Sequence, residues 1–183
     1  MIYVFLASGF EEIEAIAAID VLRRAEYDVV TVAVGTKDTM VKGAHGVAVQ
    51  ADLHESNVET DDMDVIVLPG GMPGTLNLEK SPIVQASIDY CMSNGKLVTA
   101  ICAAPSILGH KGCLQDKQAT CYPGFEQELL GASAQDNAVV KDGTIITGRG
   151  PGVAVDFALK IVETISGSDL AEKIGMAMQC PQA

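Results

Sequence analysis

The 183-residue sequence predicts an α/β fold in which a mostly parallel sheet carries helices on both faces. Three observations lead there. Short, continuously apolar runs recur at Ile2–Leu6, Val29–Val34, Val65–Leu68 and Lys96–Ile101, the pattern of strands buried on both sides. Stretches with helical periodicity separate them, as right-handed crossovers require. Small or turn-forming residues then follow the strands, at Ser8-Gly9, Pro69-Gly70-Gly71, Cys102 and Gly148-Arg149-Gly150. In a sheet of this kind the carboxyl ends of the strands are where ligands bind.

Taken in order, Ile2–Leu6 opens as a strand and Ser8-Gly9 turns into a helix over about Glu11–Arg24. Val29–Val34 is the second strand. Asp38–Glu59 is the least regular region, and Val47-Ala48-Val49 suggests a small hairpin excursion within it. Val65–Leu68 ends in the Pro-Gly-Gly turn, and Pro82–Met92 reads as a helix with proline in its first turn. Lys96–Ile101 runs into a helix over Ala103–Leu108. Val139–Lys141 and Thr144–Thr147 flank Asp142-Gly143, a hairpin signal. Gly150-Pro151-Gly152 opens a long helix to about Ile165, and Leu170–Met178 is a last amphipathic stretch. No linker, repeat or second core is visible, so residues 1–183 read as one domain.

Composition narrows the function classes. Hydrophobic residues make up 48% and aromatics 4%, with no tryptophan, so the core is aliphatic. The net charge of −12 argues against a nucleic-acid backbone as partner. No run approaches the roughly 20 apolar residues of a membrane span, and Met1–Ala7 is too short for a secretory leader. The five cysteines show neither paired nor Cys/His ligand spacing, which points to no disulfide framework, no zinc site and a reducing cytoplasm.

Cys102 is the strongest candidate for chemistry. In Val98-Thr99-Ala100-Ile101-Cys102-Ala103-Ala104-Pro105 an apolar strand meets a helix with one reactive atom at the join. A helix N-terminus there would favour thiolate, and the amide of Ala103 could receive an oxyanion. The same pattern also fits a buried structural cysteine. Leu68-Pro69-Gly70-Gly71 could supply a second amide donor or simply end a strand. Glu11, Glu12 and Glu14 lie in a first helical turn, where acids usually only complement the macrodipole. Glu14 shares a face with Ala17, Ala18 and Val21, so burial would raise its pKa and let it donate to a thiolate. Periodicity does not separate it from Glu12, on the face of Ile16 and Ile19.

Five segments in order, Gly9-Phe10-Glu11-Glu12-Ile13-Glu14, Asp20-Val21-Leu22-Arg23-Arg24, Val67-Leu68-Pro69-Gly70-Gly71, Ala100-Ile101-Cys102-Ala103-Ala104-Pro105 and Arg149-Gly150-Pro151-Gly152, resemble the ThiJ/PfpI superfamily. Within it the chain is most similar to the subgroup of the Parkinson-associated protein deglycase and its bacterial YajL-like relatives. The resemblance implies a flavodoxin-like three-layer sandwich, a homodimer and an oxidisable cysteine. By position it makes Cys102 the nucleophile and Glu14 the protonated glutamate beside it. Gly71 and Ala103 become the backbone donors, and Arg24 and Arg149 the basic residues near the interface and site.

Two positions depart from the pattern. Where many hydrolase relatives have histidine after the cysteine, this chain has Ala103, and where the human-type subgroup has a nearby histidine it has Tyr122. Either Glu14 transfers protons alone or catalysis is weak. His110 lies roughly 12 Å along a helix from Cys102, too far to pair with it, and His45 and His54 read as surface residues. The resemblance implies an enzyme acting on methylglyoxal-type carbonyls or glycated adducts without cofactor or metal. A redox-sensing oxidative-stress protein or holdase chaperone using Cys102 oxidation is the alternative. An amidohydrolase or peptidase, lacking the adjacent histidine, ranks behind both.

Overall fold

A computed structural model describes residues 1–181. Its elements, in chain order, are β1 (Ile2–Ala7), α1 (Glu12–Arg24), β2 (Val29–Val34), β3 (Met40–Lys42), β4 (Ala48–Gln50), β5 (Leu53–His54), β6 (Val65–Leu68), α2 (Gly74–Lys80), α3 (Pro82–Ser93), β7 (Leu97–Ile101), α4 (Pro105–His110), β8 (Gln118–Ala119), β9 (Ser133–Ala134), β10 (Val139–Asp142), β11 (Ile145–Gly148), α5 (Ala154–Ser166) and α6 (Ser168–Ala177). The main sheet runs β10-β11-β7-β6-β1-β2-β5. All of its pairings are parallel except β10 with β11, where the Asp142-Gly143 turn reverses the chain and Gly143 takes a positive φ of 61°. The expected α/β sandwich is therefore the observed one.

β1 lies inside the sheet next to its central strand β6, pairing with β2 from Ile2↔Val29 to Ala7↔Val34 and with β6 from Ile2↔Val65 to Val4↔Val67. The chain builds outward on one side of β1 through β2 and β5, then crosses to build β6, β7 and β11 on the other. That reversal opens a crevice above the carboxyl ends of β1 and β6. Successive β1 side chains serve opposite cores. Ile2, Val4 and Leu6 join a cluster with Val21 and Leu22 of α1, Phe157 and Ile161 of α5 and Ile174 of α6. Tyr3, Phe5 and Ala7 join Val84 and Ile88 of α3 and Ile107 of α4.

Several elements differ from the sequence reading. The helix expected over Ala103–Leu108 begins only at Pro105 and is six residues long. The long C-terminal helix begins at Ala154, after a 3-10 turn over Pro151–Val153. α2 begins at Gly74, in a stretch to which the sequence reading assigns no element, and β5 extends the sheet by pairing Leu53 and His54 with Val32 and Ala33. The hairpin expected around Val47–Val49 is β3–β4. Among the described residues, no helix is long and apolar enough to cross a membrane.

Candidate active site

β7 delivers Cys102 to the carboxyl edge of the sheet with φ of 65°, a left-handed backbone that costs a residue with a Cβ about 1–3 kcal/mol. Neighbouring backbone holds it there. The Cys102 amide donates to the Gly148 carbonyl (2.8 Å) on the adjacent strand, and the Cys102 carbonyl accepts from the Tyr122 amide (2.8 Å). The turn closes with Ala104 N–H donating to Ile101 O at 3.1 Å. Cys102 is buried, at 8% exposure.

Glu14 reaches the same point from α1 and is wholly buried. Its Oε2 accepts the Gly70 amide at 2.7 Å, while Oε1 is buried without a close conventional partner. Burial pushes the Glu14 pKa up to about 7, against the pull of the thiol and the Gly70 amide. Near neutrality the group is therefore readily protonated, and the partnerless Oε1 is where that proton would sit.

The thiol responds to the same surroundings. Burial first, and then the charge of Glu14 and the bond to it, push its pKa above the ordinary range, while the amides of Ala103 and Gly71 pull it down. The expectation that a helix terminus activates this sulfur is corrected here. α4 is short and starts three residues beyond Cys102, so the sulfur meets individual amides in place of a summed dipole. The pair is a unit: loss of one proton is opposed by burial, and loss of both also by repulsion between neighbouring anions.

Two glycines make this approach possible. A Cβ on Gly70 would lie 2.7 Å from Cys102 Cβ and 2.8 Å from Glu14 Oε2, a space closed to any side chain. Gly71, at φ of 89°, packs directly on the Gly9–Glu11 backbone. Gly70 was not singled out in the sequence, although the doubled glycine was its signal: one residue makes room and the next turns an amide toward sulfur.

The other candidates fall in different places. Tyr122 forms part of the rim: it is 46% exposed, bonded to Cys102 through its backbone, with its ring against Gly150. Arg149 is half-buried, donates to Asp136 O (3.1 Å) and lies near Cys121, where its charge only partly offsets the burial that pushes that thiol up to about 11. Arg24 is remote. It lies ten residues beyond Glu14 on α1, about 15 Å at the helical rise, and pairs with Asp20 at 2.7 Å. No histidine joins Cys102 among the described residues. His110 bonds Glu79 and Glu128, His54 bonds Ser56 and the Thr36 carbonyl, and exposed His45 bonds Glu12. Glu12 is buried as well as Glu14, but it turns to the β3–β4 hairpin, accepting the amides of His45 and Val47.

A doubly wound sheet bearing a strained strand-end thiol, a buried carboxyl and converging amides has the backbone geometry of a strand-to-helix elbow, with a glutamate and, among the described residues, no histidine beside the sulfur. The chain belongs to the DJ-1/PfpI family, whose sequence model matches residues 1–164. It is 40% identical over 177 residues to Protein dj-1beta of Drosophila melanogaster, covering 96% of this chain and 94% of that one. It is 35% identical over 162 residues to the glutathione-independent glyoxalase DJR-1.2 of Caenorhabditis elegans, covering 87% and 84%. Among solved structures, oxidized DJ-1 of Toxoplasma gondii superposes with a TM-score of 0.95 at 36% identity, over 99% of this chain and 98% of the other.

Proposed function

We propose that the protein is a cofactor-independent glyoxalase or deglycase acting on methylglyoxal-type carbonyls or their adducts. The observation that carries this reading is the buried Glu14 carboxyl, with a pKa of about 7, set beside the Cys102 thiol. A group that holds and releases its proton near neutrality can serve as both acid and base at one centre. The glyoxalase name of the 35%-identical nematode relative supports the same substrate class.

In this mechanism the Glu14 carboxylate takes the Cys102 thiol proton as the sulfur attacks the aldehyde carbon, forming a C–S bond, and passes that proton to the carbonyl oxygen. The amides of Ala103 and Gly71, aimed at the sulfur, stand where negative charge gathers. The Glu14 carboxylate then removes the hydrogen from the former aldehyde carbon and returns it as a proton to the adjacent carbon, while the hydroxyl proton passes to the neighbouring oxygen, giving a lactoyl thioester. Water adds its oxygen to the acyl carbon and gives a proton to the departing sulfur, releasing lactic acid and restoring the thiol. Methylglyoxal plus water thus becomes lactic acid, with no net change in oxidation state and no external electron carrier. Tyr122 and Arg149 bound the approach. Arg24, with Ile13 and Ile16 exposed on α1, belongs to a subunit contact of a homodimer.

Replacing Cys102 by Ser, or Glu14 by Ala, should each abolish lactate formation from methylglyoxal. Full activity in either variant rules the assignment out.

A second reading has support of its own, since the Toxoplasma relative is described as oxidized. The Ala103 and Gly71 amides and a protonated Glu14 would equally solvate the oxygens of a sulfinate on Cys102. Peptide mass spectrometry after mild peroxide tests it. Cys102 should oxidise before Cys91, Cys113, Cys121 and Cys180, and equal reactivity across the five would exclude a sensing role.

A further inference from the structure

His110 ends α4, the helix that follows the Cys102 turn, and both of its ring nitrogens meet carboxylates. Nδ1 stands 2.5 Å from Glu79 Oε1 of α2, and Nε2 stands 2.8 Å from Glu128 Oε2 in a 3-10 turn over Glu126–Glu128. An ionised carboxylate only accepts hydrogen bonds, whereas a neutral imidazole has one N–H and one lone pair. Both contacts are therefore hydrogen bonds only while the ring carries two protons. Loss of either proton turns a lone pair onto a carboxylate.

We propose that His110 is a pH-dependent clasp which, as imidazolium, ties α2 to the segment running from Tyr122 to Leu129 and so holds the wall of the Cys102 site. Both ends of the clasp lead to that site. α2 continues the Gly70-Gly71 loop, whose amides serve Glu14 and Cys102, and its Thr75 amide donates to the Gly71 carbonyl at 2.9 Å. Tyr122 donates its amide to the Cys102 carbonyl. From there the chain passes through two short turns, Phe125 N–H to Tyr122 O and Glu128 N–H to Phe125 O (both 3.0 Å), to the clasped carboxylate. This stretch lies between β8 and β9 and belongs to no sheet. Gly109 brings it against α4: a Cβ there would lie 2.2 Å from the Glu128 carbonyl oxygen.

The charges that face the ring are Glu79 from α2 and Glu128 from the 3-10 turn. From α3, Asp89 also faces α4, but Lys111 takes it at 2.9 Å, with Cys113 beside that pair. Hydrogen bonds to Glu79 and then Glu128 hold the His110 pKa above its ordinary 6.5, against a smaller effect of burial. Because the folded value is the raised one, the clasp is fully formed below pH 6.5 and is lost as pH rises through that value. An exposed ion pair is worth a factor of roughly two to five. That suffices to change how long a segment of two short turns stays closed.

NMR of the full chain with ring-labelled histidine and methyl-labelled leucine tests the proposal. His110, assigned by its absence from His110→Ala, should titrate above 6.5, and the methyl order parameter of Leu129 should fall with the same midpoint. In His110→Ala the order parameter should be low at both about pH 5.5 and about pH 9. In Glu128→Gln it should stay high at both, because an amide accepts from the imidazolium and donates to the neutral ring. Labelling of Cys102 by dithiodipyridine, read by peptide mass, should run roughly two- to fivefold faster in His110→Ala than in wild type at about pH 5.5, and equally fast at about pH 9. Titration of Glu14 is common to both proteins and cancels in that ratio. A His110 midpoint at or below 6.5 would overturn the proposal. So would a wild-type Leu129 indifferent to pH, a Glu128→Gln profile that falls like the wild type, or a labelling ratio equal at the two pH values.

Discussion

Replacing Glu14 by glutamine removes one ionisation while keeping the side chain's shape and its acceptor for the Gly70 amide. The wild-type carboxyl has an ordinary pKa of 4.5 when the chain is unfolded and about 7 when folded, because burial disfavours the anion. The folded state therefore binds the proton more tightly. Its contribution to stability is fully present below pH 4.5 and is lost as pH rises through 7. At about 1.4 kcal/mol per pKa unit the full swing is about 3 kcal/mol. Between about pH 5 and pH 8 it amounts to roughly 2–3 kcal/mol. Urea unfolding of both proteins at those two pH values isolates the effect, since titrations of His45 and His110 are common to both and cancel. Glu14→Gln should lose less stability than the wild type on going to the higher pH, by that margin. Parallel losses would refute the claim that this carboxyl is held neutral by burial.

Further outcomes follow from the same geometry. Gly70→Ala would press a methyl group between Cys102 and Glu14 and should lower lactate formation by about 100-fold or more, the scale of a displacement near 1 Å at a reacting centre; steady-state kinetics checks it. The rate of that reaction should inflect near pH 7 in the wild type, reporting the Glu14 proton. Phe157→Ala, at a fully buried position between α5 and the sheet, should cost about 3–5 kcal/mol in denaturant unfolding. Arg24→Ala should weaken self-association in sedimentation velocity while leaving peroxide oxidation of Cys102 unchanged, because Arg24 lies remote from the sulfur.

The sheet was legible because its strands are buried on both faces: runs such as Val65–Leu68 need no alternation to be recognised. β5 escaped notice because Leu53 and His54 are too few to show any period, and they owe their strand geometry to the exposed edge of β2. α2 starts at Gly74, next to Pro73, and the local chemistry of both signals a turn. At the site, Cys102 declared itself through the strand-to-turn junction, yet the source of its electrostatics was misplaced. Burial and individual amides act on the sulfur where a helix dipole had been expected. Glu12 and Glu14 illustrate the limit of periodicity, which marks both as candidates for burial. What separates them is tertiary: the Gly70 amide meets one carboxylate and the hairpin amides of His45 and Val47 meet the other. The meeting of Glu12 with His45 was invisible for the same reason, since it depends on a hairpin tip more than thirty residues away.

Covalent trapping tests most directly whether Cys102 and Glu14 work as one reactive pair. The protein would be mixed with methylglyoxal, quenched in acid within its turnover time and mapped by intact-protein and peptide mass spectrometry. The account predicts a one-methylglyoxal adduct on Cys102, transient in the wild type and accumulating without lactate in Glu14→Gln. Adducts spread over lysines and other cysteines, with lactate still formed and Cys102 unmodified, would contradict it.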